Sequence, residues 1–242
     1  TPTKGNPAVY KQEPPFAVQI ELSEGCNLRC PFCGINGIRT AERTYKFMTP
    51  AIADRIGGEM ARAGWNSRIE FAMHGEPTMN PKAPEIIAAL RHHLPKSSML
   101  MLSNGGNLTL ELAQAMFDAG LNTLGLDEYQ NIKLVPKFLA KVGARWPVLV
   151  YPDDPAGNPH ARQNHKVKRI VHIRPIDLND TGTHASLNNH AGSGAPESDV
   201  AMGKPCAKPF REFSFRWDGS AAVCCNDWRG ELGVGNIKQG LD

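Results

Sequence analysis

Residues 26–33 read Cys-Asn-Leu-Arg-Cys-Pro-Phe-Cys, which sets Cys26, Cys30 and Cys33 at spacings of four and three with an aromatic, Phe32, before the last. Thiolates are soft donors that suit zinc, copper(I) or iron–sulfur clusters, and a cubane of four irons asks for one protein ligand per iron. Three cysteines leave one iron open. An open iron can bind a small molecule directly, which a structural metal site with every position filled cannot do.

Other readings of the triple fare worse. Six cysteines in 242 residues would produce it by chance about 0.004 times, from composition frequencies alone. A zinc site wants a fourth Cys or His close by, and the nearest downstream is His74. A disulfide framework fails because three clustered thiols are odd in number and the chain is far longer than stapled secreted scaffolds.

The segment before the cysteines, FAVQIEL over 16–22, alternates apolar and polar residues as a strand does. A CxxxCxxC run with an aromatic before its third Cys, directly after a strand, resembles the radical S-adenosylmethionine enzymes. The resemblance covers residues 16–151 as a pattern, with a second part near 206–238. It implies that Cys26, Cys30 and Cys33 hold a [4Fe–4S] cluster. It implies too that the methionyl amine and carboxylate of S-adenosylmethionine chelate the open iron, and that the 5′-deoxyadenosyl radical made on reduction takes a hydrogen atom from substrate. The motifs are silent on what that substrate is.

Strands and helices alternate further along. Thr49 and Pro50 form an N-cap and first-turn pair, Ile52, Ile56 and Met60 repeat at helical spacing, and Gly64 closes the helix. RIEFAM (68–73) is a second strand. Asn80 and Pro81 are expected to cap a second helix bearing Ile86, Ile87 and Leu90. SSMLML (97–102) is a third strand, and a helix from Thr109 to Gly120 turns Leu112, Met116 and Phe117 inward. NTLGL (122–126) is a fourth strand, a helix follows Pro136, and PVLVY (147–151) and KVKRIVHI (166–173) are the fifth and sixth strands. This alternation implies a parallel α/β sheet built from right-handed crossovers. It resembles the family's partial six-stranded (β/α)6 barrel, whose open side admits large substrates.

Ligands of parallel α/β folds sit beyond the C-terminal ends of strands, and the remaining motifs fall there. Gly75, Glu76 and Pro77 follow the second strand; a glycine lets backbone approach a ligand, and unpaired carbonyls accept from an ammonium group. By resemblance this triplet holds the methionyl amine, and the Phe32 backbone reaches the adenine edge. Ser103 and Asn104, in SNGGN after the third strand, are candidates for the ribose or the carboxylate, or else form a capped turn. The fourth strand ends LGLDEYQ, with Gly125 where relatives often carry a serine; Asp127 keeps its match and is either a substrate contact or a helix cap.

Residues 152–205 change character. Five of the eight histidines, at 160, 165, 172, 184 and 190, fall here without the close spacing of a zinc enzyme, so they read as solvated loop residues. Arg162, Lys166, Lys168, Arg169 and Arg174 form either a basic steering patch or a wet face. The stretch reads as a linker and lid.

The second cysteine group is Cys206, Cys224 and Cys225. Phe213 and Phe215, the Asp218–Gly219 turn and the returning AAVCC make a β-hairpin. It resembles a SPASM or twitch extension, which implies an auxiliary iron–sulfur cluster with Cys206 and Cys224 as ligands; paired core cysteines are the alternative. Cys225 and Asp227 would be unusual supplements. Relatives supply further cysteines after the GNI-like run, and none follows here before Asp242, nor does the sequence begin with Met. The expectation is a shortened chain whose full form holds the auxiliary cluster.

The expected organisation is therefore an extended arm (1–15), a barrel (16–175), a linker (176–205) and a C-terminal extension (206–242). A net charge of +3 does not mark a nucleic-acid binder. No apolar stretch is long enough to span a membrane, there is no charged-then-apolar leader, and free thiols in a cluster motif point to the cytoplasm. Partners implied are S-adenosylmethionine, a reductant such as flavodoxin or ferredoxin, and a substrate. A peptide or protein is favoured for the open barrel and basic linker, with a sugar or other small molecule as the alternative. The reaction would be an oxidation or cross-link. An iron–sulfur electron carrier and a structural zinc module are the readings outside this class.

Overall fold

The computed structural model describes residues 13–30, 33–37, 45–129, 133–154, 158–160, 165–176 and 206–241. Phe32, the arm as far as residue 12 and almost all of the expected linker lie outside them. In chain order the strands are β1 (Ala17–Ile20), β2 (Ser23–Glu24), β3 (Lys46–Phe47), β4 (Arg68–Phe71), β5 (Met99–Ser103) and β6 (Thr123–Tyr129). They continue with β7 (Val148–Tyr151), β8 (Arg169–Ile176), β9 (Glu212–Phe215), β10 (Ser220–Ala222) and β11 (Gly233–Asn236). Helices α1 (Pro50–Arg62), α2 (Ala83–His93), α3 (Leu110–Asp118) and α4 (Leu134–Val142) connect the parallel strands.

One sheet carries nine strands in the order β11-β10-β9-β1-β4-β5-β6-β8-β7. All neighbours from β9 to β7 are parallel, and β10 and β11 run antiparallel at one end. The parallel α/β architecture follows from helices bridging strands that cannot pair through short turns. Two details depart from expectation. The sixth strand is inserted between the fourth and the fifth, because β8 pairs with β6 and β7 takes the edge. The C-terminal hairpin is no appendage: β9 pairs in parallel with β1 from Ala17 to Ile20, so the last segment extends the main sheet.

Alternate strand residues face opposite sides. One set, Val18, Ile20, Ile69, Phe71, Met99, Met101, Leu124, Leu126 and Ile170, packs with Ile56, Met60, Ile86, Leu90, Met116 and Phe117 in a single core. Each such side chain contributes roughly 1.5–3 kcal/mol on burial. Leu112 and Ile52 are only partly buried against this core, the positions beside them on the helices taking the inner face. The other strand face carries Gln19, Glu21, Arg68 and Glu70, all buried. A closed barrel of this type is filled with branched aliphatics there. Here Gln19 and Arg68 are both bonded to Glu70.

Caps explain the remaining differences at helix ends. Thr49 caps α1 and Thr109 caps α3, each accepting from the backbone N–H three residues on. Asn80 does not cap α2: its Nδ2 donates to the Leu22 and Met48 carbonyls, tying the two loops that follow β1 and precede α1. Helix α4 begins two residues before Pro136, which sits in the first turn where its missing N–H costs nothing. Among the described residues no helix is long and apolar enough to cross a membrane.

Candidate active site

The cysteine loop leaves β1 and is closed at its base by β2 pairing with β3, Ser23 opposite Phe47. The loop after β4 is clamped onto it. Gly25 and Gly75 bridge, the Glu76 N–H donates to the Gly25 carbonyl at 3.0 Å, and Ser23 Oγ donates to the Glu76 carbonyl at 2.6 Å. A Cβ on Gly75 would stand 2.2 Å from the Ser23 carbonyl oxygen and 2.5 Å from that of Gly25, so only glycine fits.

Glu76 is buried, and its carboxylate accepts four bonds. Oε1 takes the Thr78 N–H (3.1 Å), Thr78 Oγ1 (2.5 Å) and Ser103 Oγ (2.7 Å), and Oε2 takes the Asn104 N–H (2.9 Å). Burial nonetheless outweighs these bonds and pushes the carboxyl above its usual range. Ser103 is thereby committed, its hydroxyl giving its proton to Glu76 and accepting from the Gly105 N–H. Asn104 reaches the cysteine loop: Nδ2 donates to Asn27 Oδ1 at 2.8 Å and to Cys26 Sγ at 3.5 Å. The Leu28 N–H also donates to Cys26 Sγ, at 3.4 Å. Donors aimed at sulfur favour a thiolate over a thiol and tune a metal bound to it.

Cys26, Cys30 and Cys33 line one cavity of about 280 Å³, together with Gly75, Glu76, Ser103 and Asn104. Residues far apart in sequence, 26–33, 75–76 and 103–104, are thus brought together as the motifs imply. Pro77 stands just behind as the first residue of a short 3-10 turn, Pro77–Met79. Among the described residues no three His, Cys, Asp or Glu side chains converge tightly enough for a single ion. Tetrahedral zinc would need every donor within about 2.3 Å of one point, whereas a cubane takes its ligands at separate irons. Three soft thiol donors lining one cavity are the donor type that an iron–sulfur cluster takes.

Sequence reasoning passed over Tyr129 and Trp228 in the cavity wall and gave Asp127 little weight. Asp127 lines it at the end of β6; burial first and then the Glu76 charge raise its carboxyl to about 6. Tyr129, two residues on, has its phenol pushed up by burial, then by Asp127 and by the nearby Cys30 and Cys33. Period-2 reading of a longer fourth strand would have placed both on the inner face. Trp228 has no local signal at all, since only the pairing of β9 with β1 brings it to the cavity.

A second cavity, about 420 Å³, adjoins the first and shares Ala72, Met73, Leu102 and Trp228 with it. Gln19, Arg68, Glu70, His160, Lys208 and Glu212 make it polar. Cys225 lines it too, with Lys208 Nζ donating to its sulfur at 3.4 Å. Burial raises that thiol, an effect the ammonium opposes. Cys206 is exposed, and Cys224 accepts from the Asn226 N–H at 3.3 Å. The Asp227 carboxylate is already occupied by the Glu231 and Leu232 N–H groups. Of the histidines, His160 contacts Glu70 and His172 contacts Glu128, while 184 and 190 lie outside the described residues. Arg169, expected on a basic surface, is buried against Thr123 and Asn158.

Residues 20–127 match the family model described as the radical SAM superfamily. The chain is 24% identical to GTP 3′,8-cyclase of Pectobacterium atrosepticum over 90% of its own length and 71% of that protein's. Among solved structures it resembles BtrN in complex with AdoMet and 2-DOIA, with a TM-score of 0.69 and 17% identity over 94% of this chain and 80% of that one. It also resembles anSMEcpe with bound AdoMet, with a TM-score of 0.56 and 14% identity over 93% and 76%. Residues 20–127 are thus a radical SAM domain, a family that implies a [4Fe–4S] cluster and S-adenosylmethionine as cofactors.

Proposed function

We propose that the protein reductively cleaves S-adenosylmethionine at a cluster held by Cys26, Cys30 and Cys33 and removes a hydrogen atom from a substrate. The observation that carries this is the single cavity on which the three thiols, Gly75, Glu76, Ser103 and Asn104 converge. Bound there, the cluster and its nucleoside supply one electron and a carbon radical. The chain's own residues do the rest. The Gly25–Gly75 clamp sets the amine-binding loop against the cysteine loop, and the Phe32 backbone, just before Cys33, serves the adenine edge. Glu76 fixes the Ser103–Asn104 turn, and both side chains, each already hydrogen-bonded within the protein, line the cavity as candidates for a polar group of S-adenosylmethionine. Pro77 starts the turn that holds Glu76 in place.

Residues 206–242 would serve as the extension, with Cys206 and Cys224 as the residues that would hold an auxiliary iron–sulfur cluster; such a cluster would supply a one-electron acceptor, and the enzyme would then be an oxidoreductase. A flavodoxin or ferredoxin supplies the first electron. A peptide substrate rests on the open barrel and the basic 162–174 run, which is weakened by the burial of Arg169. The second cavity favours a second reading, a small polar molecule held among Gln19, Glu70 and Lys208.

Anaerobically purified protein should be brown and should release 5′-deoxyadenosine from S-adenosylmethionine with dithionite. Cys30→Ala should abolish both the release and one cubane's worth of iron without unfolding the chain. Cleavage retained in that variant removes the assigned role. Iron content equal to wild type in a Cys206→Ala/Cys224→Ala variant removes the auxiliary cluster.

A further inference from the structure

His74, the residue before Gly75, is completely buried. Oxygens face both its ring nitrogens: Glu21 Oε1 lies 2.9 Å from Nδ1, and the Cys225 carbonyl lies 2.7 Å from Nε2. A carbonyl only accepts, so Nε2 donates to it, and the Glu21–His74 contact is a separate hydrogen bond made through Nδ1. The ring also packs on Trp228 with centroids 4.7 Å apart. Trp228 stands so close to the cysteine loop that a Cβ on Gly34 would come within 2.7 Å of the indole. The same segment is held from its other side, where Arg216 donates to the Asp227 and Trp228 carbonyls and, at 2.6 Å, to Glu24. Glu21 Oε2 closes the ring of contacts by accepting from the Trp217 N–H at 3.0 Å.

A phenylalanine would fill the volume of His74 without bonding anything. The side chain here spends both nitrogens on joining the strand that precedes the cysteine loop, the loop that opens with Gly75, and the segment that supplies Trp228 to both cavities. We propose that His74 is a positioning residue: acting through the Cys225 carbonyl and the Trp228 ring, it holds residues 224–232 as the shared wall of the cofactor cavity and the polar chamber. The inference rests on the reading of the first cavity as the cofactor site, but its primary test does not.

That test is amide hydrogen exchange on the full chain purified anaerobically. His74→Phe removes one bond to a part-buried carbonyl and takes one partner from the buried Glu21 carboxyl, so exchange across 224–232 should quicken about tenfold or more, with α2 unchanged. His74→Gln keeps an amide donor for the carbonyl and should return exchange to within about threefold of wild type. Should His74→Phe fail to fold, Glu21→Gln tests the same link and should quicken the same segment severalfold. In the loaded enzyme the wall affects binding, so His74→Phe should raise KM for S-adenosylmethionine about tenfold with kcat within about threefold. Unchanged exchange in His74→Phe, or in Glu21→Gln where the first does not fold, overturns the proposal, as does a change spread evenly over α2. A wild-type chain that cleaves no S-adenosylmethionine defeats the proposed function and leaves the exchange result standing; protected 224–232 amides with cleavage lost do the reverse.

Discussion

Ser103 Oγ donates to Glu76 Oε1 at 2.7 Å, across the gap between the end of β5 and the loop that follows β4. With Thr78 and the Asn104 N–H it makes Glu76 a carboxylate surrounded by donors. Glu76→Gln places an NH₂ group against one of them. The variant should lose about 1–3 kcal/mol of stability, read by denaturant unfolding, and should bind S-adenosylmethionine more weakly. Wild-type stability would show that the four donors are not engaged as described.

Gly75→Ala is a test of sterics alone. Its methyl group would collide with the Ser23 and Gly25 carbonyls, backbone atoms with no room to yield. A loss of about 1–3 kcal/mol is expected, with cleavage of S-adenosylmethionine falling far more than the stability change explains, because the two loops part.

Asp127 gives a prediction with a sign. Its folded-state carboxyl titrates at about 6 against an ordinary value of 3.8, so ionising it works against the fold. That adverse contribution is absent below the ordinary value and grows as pH rises from there through about 6. Asp127→Asn should therefore raise Tm by a few degrees at neutral pH and leave it unchanged at acid pH below both values. Melting curves at the two pH values settle it; an equal shift at both would place the effect elsewhere.

At Cys225, burial holds the thiol up and the Lys208 ammonium pulls it down. Lys208→Met should raise it further and slow iodoacetamide alkylation of Cys225 severalfold in mildly alkaline buffer, by peptide mass mapping. Alkylation at the wild-type rate would mean that the 3.4 Å contact does not persist in solution.

Local chemistry made much of this site readable in the sequence. Cysteine spacing, the glycine in HGEP and the strand-end polar pair each report a constraint that acts within a few residues, and all three motifs meet on one cavity. Strand order was not readable, because nothing in KVKRIVHI distinguishes a strand added outside β7 from one inserted between β6 and β7. Asn80 and Pro81 looked like a helix start, yet Asn80 answers two distant carbonyls instead. His74 and Trp228 carry no motif, and their roles arise only when residues more than a hundred apart in the chain are joined.

The parallel pairing of β1 with β9 sets a timetable for synthesis. Ile20 emerges from the ribosome long before Phe215, its partner on that side. At ordinary translation speeds the interval is on the order of ten to forty seconds. Throughout it, one hydrogen-bonding edge of the strand that leads into CNLRCPFC is bare and the Trp228 wall does not yet exist. Nascent chains thus present their three thiols to assembly factors, and to oxygen, before the last segment can shelter them.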